Sequence, residues 1–164
     1  MLIRLLGEED AADYKKLRLE ALKKHPEAFA SSYEEEVLYT EEFFASRLGG
    51  GEAQTIGAYE GEALIGSVTI FPETKQKLKH RANLVAMFVN PEYRKTGVGK
   101  ALVHTAVGRA RSLGATHVYL AVTSSNIPAK QLYLSAGFKV YGVDEQALKM
   151  DGVFYSEDLM VLKL

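Results

Sequence analysis

The 164-residue chain has no cysteine. It can therefore form no disulfide, no thiolate metal site and no cysteine nucleophile. An excess of one charge is missing too, because 20 lysines and arginines nearly balance 21 aspartates and glutamates and leave a net charge of −1. We therefore expect no general attraction to nucleic acid or to an anionic membrane, and an anionic ligand would need a local site.

Long apolar runs are also absent. No stretch approaches the roughly 20 apolar residues of a membrane-spanning helix, and the start MLIRLLGEED lacks the apolar core of a signal peptide. We expect a soluble, cytoplasmic protein with no membrane partner. With 47% hydrophobic and 25% charged residues the composition is that of a globular protein, and the length predicts one domain over residues 1–164.

Strand and helix signals follow one another in the order β-α-α-β-β-β-α-β-α-β-β and predict a mixed α/β sheet. The predicted strands are residues 2–6, 54–59, 63–71, 82–89, 117–122, 138–143 and 153–162. Helices are predicted to start near Glu8, Glu41, Gly99 and Asn126. Residues 25–40 are expected to be irregular, and residues 144–155 to form a loop that shapes an acceptor site or supports a dimer. The order is that of neither a doubly wound dinucleotide fold nor a helical bundle.

The most informative segment is Val85–Val103, which reads VAMFVNPEYRKTGVGKALV. In it a predicted strand runs into a short loop whose last part, residues 94–99, opens a helix. Gly97 and Gly99 remove side chains where a backbone must approach a ligand. N–H groups at the start of a helix form an anion cradle, which the helix dipole strengthens. Arg94, Lys95 and Lys100 add positive charge to it. The segment predicts a pyrophosphate site, with a plain turn and helix cap as the alternative.

Two common phosphate-binding motifs do not match the sequence of this segment. A Walker A loop needs glycine at position 94 and serine or threonine at position 101, where the chain has Arg94 and Ala101. A dinucleotide-binding fingerprint needs a third glycine at position 102, which is Leu102.

The segment resembles the hallmark [QR]-x-x-G-x-[GA] of the GNAT superfamily of N-acetyltransferases. The hallmark is matched by Arg94, Lys95, Thr96, Gly97, Val98 and Gly99. A second family element, N-x-x-A-x-x-L-Y-x-x-x-G-F, is matched by Asn126, Ala129, Leu132, Tyr133, Gly137 and Phe138. The resemblance implies a GNAT-like fold, in which about four helices flank a mostly antiparallel sheet with one splayed parallel pair. That pair would be residues 82–89 and 117–122.

The resemblance also implies how acetyl-CoA, the co-substrate, is held. The implied contacts are Met87, Phe88, Val89, Arg94, Lys95, Thr96, Gly97, Val98, Gly99, Lys100, Asn126, Ala129 and Tyr133. One N–H of the strand at residues 87–89 would polarise the thioester carbonyl. Tyr133 would be the general acid for the departing thiolate, although its spacing alone also fits a packed aromatic. Asn126 is expected to cap a helix as well. No metal site is implied.

The general base remains open at this point. Several family members have glutamate where this chain has Asn83, which cannot accept a proton. The candidates are His80, the run Glu34–Glu35–Glu36, or an ordered water chain, unless the amine arrives neutral. The glutamate run is either an acidic rim that attracts a cationic amine or a solvated charge run. Phe29 would line the acceptor pocket or anchor its loop to the core.

The predicted function is acetyl transfer from acetyl-CoA to a primary amine of a small molecule. Acetylation of a protein N-terminus or lysine, and a noncatalytic acetyl-CoA-binding module, are the alternatives. A nucleic-acid partner, suggested by the stretch KLKHR, is disfavoured because the net charge is near zero and no recognition motif is present. A homodimer through the C-terminal strands is left open.

Overall fold

The structure, a computed structural model, describes all of residues 1–164. Seven strands form one sheet in the order β1-β2-β3-β4-β5-β7-β6. The strands are β1 (Leu2–Leu5), β2 (Gln54–Glu60), β3 (Ala63–Pro72), β4 (Arg81–Val89), β5 (His117–Thr123), β6 (Lys139–Met150) and β7 (Val153–Lys163). Every neighbouring pair is antiparallel except β4 and β5, which are parallel. The predicted mostly antiparallel sheet with one parallel pair is confirmed.

Five α-helices cover the two faces of the sheet. They are α1 (Ala11–Lys24), α2 (Tyr33–Glu36), α3 (Glu41–Gly49), α4 (Val98–Ser112) and α5 (Ile127–Ser135). The main core lies between the sheet and the pair α4 and α5, while α1 and α3 pack with Leu6 and Tyr59 in a separate cluster on the other face. None of the helices is both long and apolar enough to cross a membrane.

The short helix α2 lies in the segment that we expected to be irregular. Its first turn is closed by a capping box, in which the Ser32 hydroxyl accepts from the Glu35 N–H and the Glu35 carboxylate accepts from the Ser32 N–H. This S-x-x-E pattern is a helix-start signal that was present in the sequence. One turn of helix leaves too little periodicity to detect, and this accounts for the difference.

The prediction of a loop over residues 144–155 is wrong. Strands β6 and β7 form a long hairpin, and only Asp151 and Gly152 separate them, with φ of 50° and 77°. Asp-Gly favours such a tight turn because both central residues need positive φ. Strand β6 lies at the edge of the sheet, and its exposed polar residues such as Asp144 and Glu145 hide the strand pattern. A register shift between Asp144 and Leu148 interrupts the hairpin there.

A buried carboxylate joins the first two strands to the start of α1. Asp10, which is 5% exposed, accepts hydrogen bonds from the Arg4 guanidinium at 2.7 Å, from the Gly7 N–H at 2.8 Å and from the Tyr59 hydroxyl at 2.9 Å. These donors, with Arg4 first, lower the pKa of Asp10 from 3.8 to about 2. The charged form is therefore favoured by the fold.

We expect Asp10→Asn to lower the melting midpoint at pH 7 by roughly 4 to 8 °C. The pKa of Asp10 is lower in the folded chain than in the unfolded one, so its contribution of about 2 kcal/mol is complete above about pH 4 and is lost as the pH falls toward 2. Thermal melts of both proteins at pH 7 and at decreasing pH test this. The exposed Asp13→Asn on the same helix is the control, and equal midpoints for Asp10→Asn and wild type would contradict the expectation.

Candidate active site

The parallel strands β4 and β5 separate soon after they meet. They pair only at Arg81 with His117, Ala82 with Val118 and Asn83 with Tyr119. Both strands continue beyond this point, β4 along β3 and β5 along β7, without pairing to one another. The sheet therefore opens between the C-terminal halves of β4 and β5.

A β-bulge lies in β4 beside this opening. Ser67 pairs with Phe88 and Thr69 with Val85, so that Ala86 and Met87 both stand opposite one residue of β3. Ala86 has φ of 53°, a conformation that non-glycine residues seldom adopt. Bulges redirect the backbone, and strained residues of this kind concentrate at functional sites. No feature of the sequence pointed to Ala86.

The opening forms a largely apolar cleft of about 90 Å³. Its lining residues are Ala28, Phe29, Leu84, Val85, Ala86, Met87, Ala121, Val122, Thr123, Asn126, Ala129, Leu132 and Tyr133. Phe29 belongs to the segment on the α1 side of the sheet, and Tyr133 belongs to α5 on the other side. The cleft can therefore be approached from both faces of the sheet.

Helix α4 begins at the glycine loop. Gly97 caps the helix with φ of 91°, and the Lys95 backbone is also left-handed at 63°. The first helical hydrogen bond runs from the Ala101 N–H to the Gly97 carbonyl, so the N–H groups of the preceding residues have no partner in the helix. Those N–H groups and the positive end of the helix dipole form a cradle for an anion.

The two glycines of the loop act differently. Outside its chain neighbours, a Cβ at Gly97 would meet no atom within 4 Å, so glycine is favoured here by its positive φ and not by lack of space. A Cβ at Gly99 would come within 3.1 Å of Leu132 on α5 and within 3.5 Å of Met87 on β4. Gly99 therefore lets α4 lie close to two residues that line the cleft, and this packing role was not part of the sequence prediction.

The basic residues of the loop also divide into two kinds. Arg94 donates from Nε to the Val89 carbonyl at 3.1 Å and from its guanidinium to His25 Nε2 at 3.0 Å. Burial, together with the charge of Arg94, lowers the pKa of His25, which favours the neutral ring that accepts this bond. Lys95 and Lys100 are exposed and form no ion pair. Arg94 thus fastens the loop, while the two lysines are free to face an anion.

Tyr133 projects from α5 into the cleft. The residue is only 5% exposed, its ring lies edge-on to Phe138 with centroids 5.8 Å apart, and burial alone raises the pKa of its hydroxyl. No internal hydrogen bond holds that hydroxyl. A phenol with a raised pKa stays protonated and can donate. Tyr133 is therefore a packed aromatic whose hydroxyl stays protonated at the cleft, and its role as the general acid stays a prediction.

Both ends of α5 are fixed. The Asn126 side chain accepts from the Ala129 N–H at 3.3 Å, which confirms the predicted N-cap, and both residues line the cleft. At the other end the Phe138 N–H donates to the Tyr133 carbonyl, with Gly137 at φ of 96°. This is the Schellman arrangement that often ends a helix.

Helix α5 is also tied to the last strand by a buried carboxylate. Asp158 lies 2.6 Å from Lys130 and accepts a hydrogen bond from the Ser124 hydroxyl. These two hydrogen bonds, with that of Lys130 first, lower the pKa of Asp158. Sequence analysis missed this contact, because the partners are far apart in the chain.

The three predicted strand residues have different surroundings. Met87 lines the cleft, whereas the side chain of Phe88 is 6% exposed and packs against Leu17 and Ala21 of α1. The Val89 carbonyl accepts from Arg94. Only Met87 therefore contributes a side chain to the cleft.

None of the base candidates lines the cleft. Asn83 donates to Glu73 at 3.0 Å, and His80 precedes β4 at the end away from the opening. Glu36 is neither a rim residue nor solvated, because it is 2% exposed and lies 2.7 Å from Arg18. Glu35 closes the capping box of α2. An ordered water chain and an amine that arrives neutral are the sequence alternatives that these positions do not affect.

A glycine-containing anion cradle thus lies at the opening between two parallel strands. The sequence pattern of the acetyltransferase (GNAT) family matches residues 16–138. The chain belongs to this family.

Individual relatives agree with the family match. The chain is 37% identical over 82 residues to human N-acetyltransferase 8; the match covers 49% of this chain and 36% of the human protein, so the chain spans about a third of that relative's length. The fold is like that of a GNAT-family acetyltransferase from Streptococcus pneumoniae, with a TM-score of 0.88, 24% identity and 99% of each chain covered. It is also like Salmonella typhimurium yncA, solved with its cofactor acetyl-CoA, with a TM-score of 0.83, 19% identity and coverage of 99% and 93%.

Proposed function

We propose that the protein transfers the acetyl group of acetyl-CoA to a primary amine by direct attack of the amine on the thioester. The observation that carries this proposal is the hydroxyl of the buried Tyr133, which has no internal partner and faces a cleft next to the anion cradle of α4. Family membership supports the same reaction.

The residues present fit acetyl-CoA. The pyrophosphate would lie on the N–H groups of Val98, Gly99 and Lys100, with Lys95 and Lys100 nearby. Thr96 and Arg94 support this loop from within, since the Thr96 hydroxyl donates to the Tyr93 carbonyl and Arg94 donates to β4.

The pantetheine arm would enter the gap between β4 and β5. The backbone of Met87, Phe88 and Val89 lies along one side of this gap, and Asn126 and Ala129 border the other. Strands that have separated keep backbone groups without a strand partner, and an amide-containing chain can bond to them. One N–H near the bulge would polarise the thioester carbonyl.

Tyr133 would complete the reaction. The amine nitrogen forms a bond to the carbonyl carbon, the bond from carbon to sulfur breaks, and the departing thiolate takes the phenolic proton. The proton that the nitrogen then loses returns to the Tyr133 phenolate. The apolar lining excludes water from the thioester and holds the reacting atoms close together.

A small amine is the acceptor that we favour. The cleft is narrow and mostly apolar, and Phe29 borders it on the side from which the acceptor would come. A protein N-terminus or lysine is the second candidate. Thiol release from acetyl-CoA in the presence of putrescine, kanamycin, lysine methyl ester or a short peptide distinguishes these acceptors. A noncatalytic acetyl-CoA-binding module would bind acetyl-CoA and release no thiol with any of the four.

Acetyl-CoA is expected to raise the melting midpoint of the purified protein. At about 100 times its dissociation constant a ligand adds about 2.7 kcal/mol of stability, which corresponds to roughly 5 to 11 °C for a chain of this size. Thermal melts with acetyl-CoA, and with ATP and NAD as controls, measure it. No shift at saturating acetyl-CoA would contradict both the enzyme and the noncatalytic binding module.

A further inference from the structure

One row of residues crosses the last three strands beside the cleft. Thr123 of β5 pairs with Glu157 of β7, and Glu157 pairs with Asp144 of β6. Directly opposed residues of an antiparallel pair share a face of the sheet. Thr123 lines the cleft and donates from its hydroxyl to the Glu27 carbonyl at 2.7 Å. Glu157 is therefore the next residue outward from the cleft wall, on the side of Phe29.

Glu157 and Asp144 stand opposite one another without a cation. Neither carboxylate forms an ion pair, whereas the neighbouring Asp158, on the other face, is paired with Lys130. Like charges directly opposed across two strands destabilise a sheet. Burial, and then repulsion by Asp144, raise the pKa of Glu157. A positively charged ligand would relieve this repulsion.

The cleft itself supplies no base. Among its lining residues only Tyr133 can titrate, and it is the buried proton donor whose unpartnered hydroxyl faces the cleft. An acceptor that enters as an ammonium ion must lose its proton before it attacks. The proton must therefore leave at the edge of the cleft, where Glu157 stands.

Resting on the acetyl transfer proposed above, we propose that Glu157, with Asp144 opposite it, binds the acceptor as an ammonium ion and removes its proton. The Glu157 carboxylate takes one proton and leaves a neutral amine. Attack then forms the bond from nitrogen to the acetyl carbon and breaks the bond to sulfur. The thiolate takes the Tyr133 proton, the second nitrogen proton returns to Tyr133 through water, and Glu157 releases its proton to solvent.

The surroundings of Glu157 favour a cation. Asp144 faces it from β6, Thr123 is its neutral neighbour on β5, and the turn above presents the Glu27 carbonyl to Thr123. Each of these three groups is either negatively charged or neutral, and none is a cation. The acceptor class is thus a primary amine that is protonated in solution, rather than an alcohol or an anionic amino acid.

Glu157→Gln is expected to reduce kcat/KM for putrescine about 10²-fold at pH 7. Without the carboxylate the rate depends on the free-amine fraction, which increases tenfold per pH unit up to about pH 10. The deficit should therefore shrink as the pH is raised, whereas a structural defect would lower the rate by a constant factor. Asp151→Asn at the turn of the same hairpin is the matched control. A constant factor, or no loss, overturns the proposal.

Binding gives a readout that needs no turnover. Calorimetry of putrescine with the CoA-loaded protein at pH 7 should show at least a tenfold weaker affinity for Glu157→Gln than for wild type or Asp151→Asn. Absence of putrescine binding to the CoA-loaded wild type overturns the ammonium site. Acetyl-CoA should still raise the melting midpoint of Glu157→Gln. Failure of acetyl-CoA to stabilise even the wild type would instead reject the proposed acetyl transfer.

Discussion

Gly97→Asp is expected to raise the dissociation constant for acetyl-CoA at least about 10³-fold while the protein stays folded. Position 97 caps α4 with φ of 91°, at the point where the pyrophosphate would lie. A carboxylate about 4 Å from a phosphate charge costs about 4 kcal/mol at an effective dielectric constant of 20, and each 1.4 kcal/mol is tenfold in affinity. Outside the neighbouring residues of the chain, no atom lies within 4 Å of the new Cβ, so the fold has room for it.

Two variants separate charge from backbone strain at this site. Gly97→Ala introduces only the left-handed strain, about 1 to 2 kcal/mol, and should weaken binding far less than Gly97→Asp. Gly108→Asp places the same charge on an open, exposed position of α4 away from the loop and should bind normally. Calorimetry and circular dichroism on all three proteins measure affinity and folding. Normal binding by a folded Gly97→Asp protein would show that the pyrophosphate lies elsewhere.

Tyr133→Phe is expected to reduce turnover by about 10²-fold or more, with unchanged affinity for acetyl-CoA. The hydroxyl has no partner inside the protein, so its loss leaves the packing of the ring against Phe138 intact. What is removed is the proton for the departing thiolate. The measurement is thiol release at saturating acetyl-CoA and amine, together with the melting midpoint.

Tyr39→Phe provides a matched control for that experiment. Tyr39 packs against Phe43 and Phe44 on the other side of the molecule, away from the cleft. It should keep full turnover and should also show that loss of a phenol from a packed ring is harmless in this protein. Equal turnover for Tyr133→Phe and wild type would remove Tyr133 from the mechanism.

Much of the fold could be predicted because its signals are local. The strand and helix periodicities, the glycines at positions 97 and 99, and the cap at Asn126 each depend on a few consecutive residues. The structure brings Tyr133, Asn126, Ala129 and Met87 to one cleft, and their contacts with acetyl-CoA stay a prediction.

The remaining features depend on partners far apart in the chain. Glu36 reads as part of a solvated run, yet Arg18 and Arg47 hold it in the interior. Glu157 is one acidic residue among several until strand register places it beside Thr123 and Asp144. The bulge at Ala86 contains no glycine, so no residue type in the sequence indicates its positive φ. Single-sequence patterns do not report register, so the acceptor side of the site could not be derived.

The separation of β4 and β5 has a mechanical consequence. Only three residue pairs join strands β1 to β4 to strands β5 to β7 within the sheet, so this seam is where backbone hydrogen bonding across the molecule is weakest. A pantetheine arm that forms hydrogen bonds with both strands would take the place of the absent strand pairing and would connect the two parts of the sheet. Cofactor binding at this boundary between β4 and β5 would then make the two parts of the sheet unfold more cooperatively.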